Sequence, residues 1–129
     1  MLAFGESLRN FCLVHGPEEG AALLGIIEHV YVGISRQLTD VIADRGWGDL
    51  GTQSHYTVHE EIDVRHARDL FALCHAGWSV PGRRQDIAAA MLLGAHYFWA
   101  VYLDLLPDRV VRVPSPLDLP TPEVGVMTV

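Results

Sequence analysis

Residues 55–70 read HYTVHEEIDVRHARDL, with three imidazoles and a run of carboxylates within four helical turns. On a helix His59, Asp63 and His66 stand at i, i+4 and i+7, a single stripe because the helix turns once every 3.6 residues. His55 continues the stripe by one turn. Imidazole and carboxylate together suit iron, manganese and zinc. Val58, Ile62, Leu70 and Phe71 flank the stripe, so it is expected to face a bundle interior. An aspartate buried between imidazoles is unfavourable unless a cation or a closed hydrogen-bond network accompanies it. Two uses therefore stand side by side: a metal-binding face, and an acid–histidine network without metal.

Helical-bundle metal sites combine carboxylate-x-x-His pairs with single carboxylates from neighbouring helices. Asp63-Val-Arg-His66 is such a pair, with Asp in place of the usual Glu. Glu28, at the apolar centre of GIIEHVYVG, is the candidate single carboxylate, because a charge in that setting needs a partner. The candidate ligands are thus Glu28, His59, Asp63 and His66, with no catalytic residue assigned. The other polar groups have plainer expectations. His15 is a loop residue, His29 points away from Glu28, and His75 meets the negative end of a helix. His96 is expected in the core. Glu60 and Glu61 read as solvated, and Arg65 and Asp69 as a surface ion pair. Tyr97, Trp99 and Tyr102 read as packing residues. There is no GxSxG, P-loop, GxGxxG or HExxH motif.

The elements that must carry these residues are helical. A short helix covers 3–14, with Phe4, Leu8, Phe11 and Cys12 at helical spacing. HGPEEG breaks it, and Pro17, Glu18 and Glu19 suit the start of a long helix over 17–44. RGWGDLG ends that helix. A third helix is expected from Gln53 to Ala76, stopped by Gly77 and the Ser-Val-Pro-Gly turn, and a fourth from Arg83 to Leu105, ended by Pro107. Residues 107–129 hold five of the seven prolines and read as an extended tail. VVRV is a lone strand-like run without a partner. The fold class is all-α: an antiparallel helical bundle over 1–106 and a Pro-rich tail over 107–129.

The bulk properties narrow the function. The 129 residues fit one domain with a modest core, and half are hydrophobic. The formal net charge is −7 and all nine basic residues are Arg, which argues against a nucleic-acid or anionic-lipid partner. Cys12 and Cys74 form no CxxC and are expected to be buried, reduced thiols. No signal-peptide pattern is visible, so a cytoplasmic location is the default expectation. The apolar run 87–103 contains His96 and is expected as a buried bundle helix rather than a membrane span.

HYTVHEEIDVRHARDLFAL resembles the signature helix of the heme-oxygenase-like di-iron oxidases and oxygenases: a His, an Asp four later and a His three after that, here His59, Asp63 and His66 behind Tyr56. Glu28 matches the family's mid-helix Glu, and HYFWAVYLDLL is similar to its closing apolar helix. Thiaminase II-like proteins and the cofactorless oxidase of pyrroloquinoline quinone biosynthesis share this scaffold. The resemblance covers residues 17–106. It implies a non-heme iron site of one or two ions, with manganese as an alternative, that activates O₂ to oxidise a small organic molecule, as in natural-product pathways. The family's second Glu-x-x-His helix has no counterpart here, so the chain carries a partial version of the domain. That implies a homo-oligomer or a partner chain covering the exposed half-core. An inert helical interaction module and metal-free acid–base chemistry of the thiaminase type are the alternatives.

Overall fold

The computed structural model describes residues 2–48 and 50–105, and among these every regular element is helical. Helix α1 spans Leu2–Val14, α2 Pro17–Arg45, α3 Leu50–Leu73, α4 His75–Trp78 and α5 Pro81–Leu105. The all-α reading therefore holds. The tail over 107–129, including VVRV, lies outside the described residues.

Local chemistry explains the boundaries. Pro17 occupies the first turn of α2, where its missing N–H would have had no partner, and Glu18 and Glu19 sit at the positive end of the helix dipole. Gly46 closes α2 in the left-handed conformation, φ 61°, donating its N–H to Ala43 O. The third helix stops earlier than its sequence suggests. It ends at Leu73, and the HAGW residues turn separately as α4, with Trp78 N–H bonded to Cys74 O. Cys74 is held at this break: its thiol is buried and donates to Glu18 O at 3.2 Å. Burial, and then Glu18 and Glu19, push that thiol above its ordinary pKa. Cys12, by contrast, is exposed. Its Sγ lies over Gly20 of α2 yet stays open to solvent, so the expectation of two buried thiols holds for one.

Helix α2 is the centre of the arrangement and packs against both α3 and α5. The paired residues fix the directions. Arg36 meets Glu60 while Glu28 meets His66, so α2 and α3 are antiparallel. Leu23 lies under Gly94 while Tyr31 meets Phe98, so α2 and α5 run the same way. Two glycines set the closeness. A Cβ at Gly94 would lie 2.5 Å from Leu23 O, and one at Gly25 would lie 2.9 Å from the Phe71 ring. The Gly25 contact is one turn from Glu28 and brings that carboxylate up to α3.

The core is small. Leu23 and Ile87 are the large apolar side chains fully buried among the described residues, joined by Ala21, Ala22, Ala90 and Cys74. Helix α5 buries Ile87, Ala90 and Gly94 against α2 but leaves Leu92 66% and Leu105 69% exposed. It is thus a one-sided bundle helix rather than a buried one, and by length and composition it is apolar enough to cross a membrane. His96, expected in the core, is exposed because it falls on the face of α5 turned away from α2.

Candidate metal centre

Glu28, Asp63 and His66 offer ligand atoms that all lie within 4.8 Å of one another. Glu28 comes from α2, and Asp63 and His66 from successive turns of α3. Asp63 is 1% exposed, the only buried carboxylate among the described residues, while the His66 side chain is 57% exposed. His66 Nδ1 is 3.7 Å from Glu28 Oε2 and 3.9 Å from Asp63 Oδ1. These distances are long for direct hydrogen bonds and leave room between the donors.

His59 takes a different place. Its Nδ1 lies 3.2 Å from both carboxylate oxygens of Asp63, one turn above the three-residue cluster. The sequence puts His59, Asp63 and His66 on one stripe. The structure sets Asp63 between two imidazoles, with His66 beside Glu28 and His59 beside the Tyr31 ring at 5.7 Å, edge-on. The His55 ring lies against His59 at 4.5 Å between ring centres, tilted by 57°. His59 therefore either orients Asp63 or faces a second position on its far side.

Electrostatics at the cluster are unbalanced. The Glu28 carboxyl is raised above its ordinary pKa, first by burial, then by the charge of Asp63 and a hydrogen bond with it; His66 opposes the shift. Two close carboxylates of this kind share a proton or a cation. Tyr31 is also raised, by burial and then by Tyr56 and Asp63. Ser35, one turn beyond Tyr31, is fully buried, and its hydroxyl faces the Tyr31 phenol, where it opposes the upward shift.

The donor set fits a divalent metal. It supplies two carboxylates and one imidazole from two rigid helices, with a buried acid whose charge the metal would balance. The cluster opens on a shallow depression of about 380 Å³ lined by Glu28, His66, Asp69, Leu70 and Leu73. An ion held by Glu28, Asp63 and His66 would lie beside that opening.

Several neighbours differ from expectation. Glu60 is not simply solvated. Its Oε1 accepts from Arg36 Nε at 2.8 Å and pairs with Arg36 Nη2 at 2.7 Å, bracing α2 against α3 at the residue next to His59. Asp69 pairs with the adjacent Arg68 at 3.0 Å, not with Arg65. Val58 is 49% exposed, so the apolar flank of the stripe is only partly interior. Trp99 and Tyr102 line a groove of about 570 Å³ between α2 and α5 rather than filling a core. From sequence Tyr31 reads only as an apolar packing position of the long helix, and Ser35 has no assigned role. Their signal was present, since 28, 31 and 35 recur at helical spacing through Glu28, but a Tyr and a Ser on an apolar helix look like packing until the facing helix is known.

Compared with known proteins, the chain matches no family model, no curated protein and no solved structure.

Proposed function

We propose that Glu28, Asp63 and His66, with His59 behind Asp63, form a non-heme iron centre that supports O₂-dependent oxidation of a small organic molecule. The observation that carries this reading is the convergence of two carboxylates and an imidazole from two helices around a buried Asp63. The likeness of His59-x3-Asp63-x2-His66 and Glu28 to the heme-oxygenase-like di-iron oxidases supports it. Manganese fits the same ligands.

In this reading iron, when bound, supplies the O₂-activating redox chemistry. The chain's residues hold it: Glu28 and Asp63 by carboxylate oxygens, His66 by a ring nitrogen. His59 would fix the Asp63 carboxylate from the far side, or help to hold a second ion. Leu70 and Leu73 form the apolar rim at the mouth. A further chain, either a second copy or a partner, covers this mouth, supplies the remaining ligands and excludes water.

The test is anaerobic Fe(II) titration of the full chain. About one iron per chain is expected, lost on His66→Ala and on Glu28→Gln. No uptake above background by the wild-type chain overturns the proposal.

One observation favours a second reading. The raised Glu28 carboxyl beside Asp63 is the arrangement of a proton-sharing acid pair, which could serve as a metal-free acid–base group. Iron-independent turnover of a substrate, abolished by Glu28→Gln, would select it.

A further inference from the structure

The most developed cavity lies away from the acidic cluster. It is the groove between α2 and α5, about 570 Å³, and no residue at the mouth of the cluster lines it. Its two walls share one spacing. On α2, Val30, Ile34, Gln37 and Val41 stand at i, i+4, i+7 and i+11. On α5, Ala95, Trp99 and Tyr102 stand at i, i+4 and i+7, and Leu92, three residues earlier, continues the series. Alternating steps of three and four are the seam by which one helix packs along another. Both seams are open: Val41 is 43% exposed on α2, and Leu92 and Trp99 are 66% and 36% exposed on α5.

Two adjacent helices that turn open seams to one groove fit a further helix, as in a bundle. No charged side chain lines the groove, so that helix must be apolar where it is seated. Helix α5 itself meets this condition. Residues 87–103 contain no Asp, Glu, Lys or Arg, and α5 carries a seam of the required spacing.

We propose that a second copy of this chain pairs at this face, its α5 lying antiparallel in the α2/α5 groove about a two-fold axis near Trp99.

Such a contact is isologous: each α5 fills the other copy's groove, and α2, α5 and their two counterparts close a four-helix bundle. Side-chain size favours the antiparallel course. About an axis between Phe98 and Trp99, Ala95 faces the partner's Tyr102, small against large. The same axis carries the partner's Leu92 to the level of Leu105, beside Leu38, since α2 and α5 run the same way from the Tyr31–Phe98 contact. Parallel pairing would instead set large on large at Trp99 and at Tyr102. The area is sufficient. The exposed parts of the two seams and of Leu103 amount to about 500 Å² per copy, so pairing removes about 1,000 Å² from water, the size at which specific interfaces begin. The formal charge of −7 lies outside this surface and does not oppose the contact directly.

The test uses the full chain in chelator, so its outcome is independent of the iron proposal. Sedimentation velocity should show twice the chain mass of 14.3 kDa, with a Kd in the micromolar range. Leu92→Glu and Trp99→Glu, both at exposed positions, should each weaken the dimer by about 100-fold while circular dichroism shows the helices intact. Leu13→Glu, exposed on α1, should leave the dimer unchanged. A second measurement reads the direction of pairing. In a Cys12→Ser background, chains with Ala95→Cys and chains with Tyr102→Cys are mixed and mildly oxidised. The bridge from 95 to 102 should form about tenfold faster than the bridge from 95 to 95. A chain that stays monomeric at about 100 µM, whether or not its apolar α5 binds phosphatidylcholine vesicles, overturns the proposal. So does a dimer indifferent to both glutamate replacements, or 95-to-95 bridging as fast as 95-to-102.

Discussion

At the residue scale, Asp63 is the position on which the cluster turns. It is buried, touches His59 at 3.2 Å and lies within 4.8 Å of the Glu28 and His66 donors. The two imidazoles should therefore respond differently to truncation. His66→Ala removes a ligand and is expected to weaken Fe(II) or Mn(II) binding by more than about 100-fold. His59→Ala removes a group behind a ligand and should weaken it by about 10–100-fold. Titration calorimetry under anaerobic conditions measures both, and equal losses would place His59 in direct contact with metal. Glu28 carries a pH signature. Its carboxyl holds a proton to higher pH in the folded chain than in the unfolded one, because of burial and Asp63. That linkage stabilises the fold fully below the ordinary glutamate value and is lost as pH rises through the folded one. The metal-free protein should thus lose stability as pH climbs from the ordinary glutamate range towards neutrality. Glu28→Gln should flatten that loss and raise the metal-free Tm at neutral pH by about 2–5 °C. Thermal melts at several pH values decide this, and a less stable Glu28→Gln protein across the range would contradict it.

At the scale of elements, the cluster depends on how closely α2 approaches its neighbours. Gly94 has no Cβ where one would meet Leu23 O and Ile26 Cγ2. Alanine there gains about 1 kcal/mol of helix propensity yet forces α5 away from α2, so Gly94→Ala is expected to destabilise by about 1–3 kcal/mol net in urea unfolding. At the other end of the same interface, Arg83 pairs with Glu18 at 2.5 Å and approaches Glu19 at 3.9 Å. Both acids are largely covered, so Arg83→Ala leaves them without their cation and should lower stability more than the exposed Arg9→Ala, whose Glu6 pair is solvated on both sides. A comparison of the two midpoints in urea checks this, and equal midpoints would contradict it. These elements also show how far sequence carried the reading. The ends of α2 were legible because Pro17 and Gly46 each have a local reason to be there. The break between α3 and α4 was not, because the first breaker, Gly77, comes four residues after Leu73, and the local mark of the earlier turn is the seat of Cys74 under Glu18 O.

At the scale of the molecule, the balance between core and surface is unusual. Leu23 and Ile87 are fully buried, while Leu13, Val14, Leu73, Trp78 and Leu92 are largely or substantially exposed. A ligand that binds only the folded state should matter greatly for such a chain. Metal at a hundredfold excess over its Kd adds about 2.7 kcal/mol, which for a domain of this size raises Tm by about 10 °C. Differential scanning fluorimetry with Fe(II) or Mn(II) reads this directly. An unchanged melt would remove the metal centre from the account of the fold.

Sequence alone determined the all-α class, the helical core of each element and the stripe His59, Asp63, His66, since helical periodicity and terminator residues are local properties. It also singled out Glu28, because a carboxylate at an apolar helix centre is anomalous wherever the helix packs. Only the tertiary structure decided which groups meet. Glu28 reaches Asp63 and His66 because Gly25 lets α2 close on Phe71 and Leu70. His59 turns to Tyr31, Glu60 is drawn to Arg36, and Trp99 opens onto a groove. These outcomes depend on the register and separation of helices far apart in the chain, which no stretch of sequence encodes by itself.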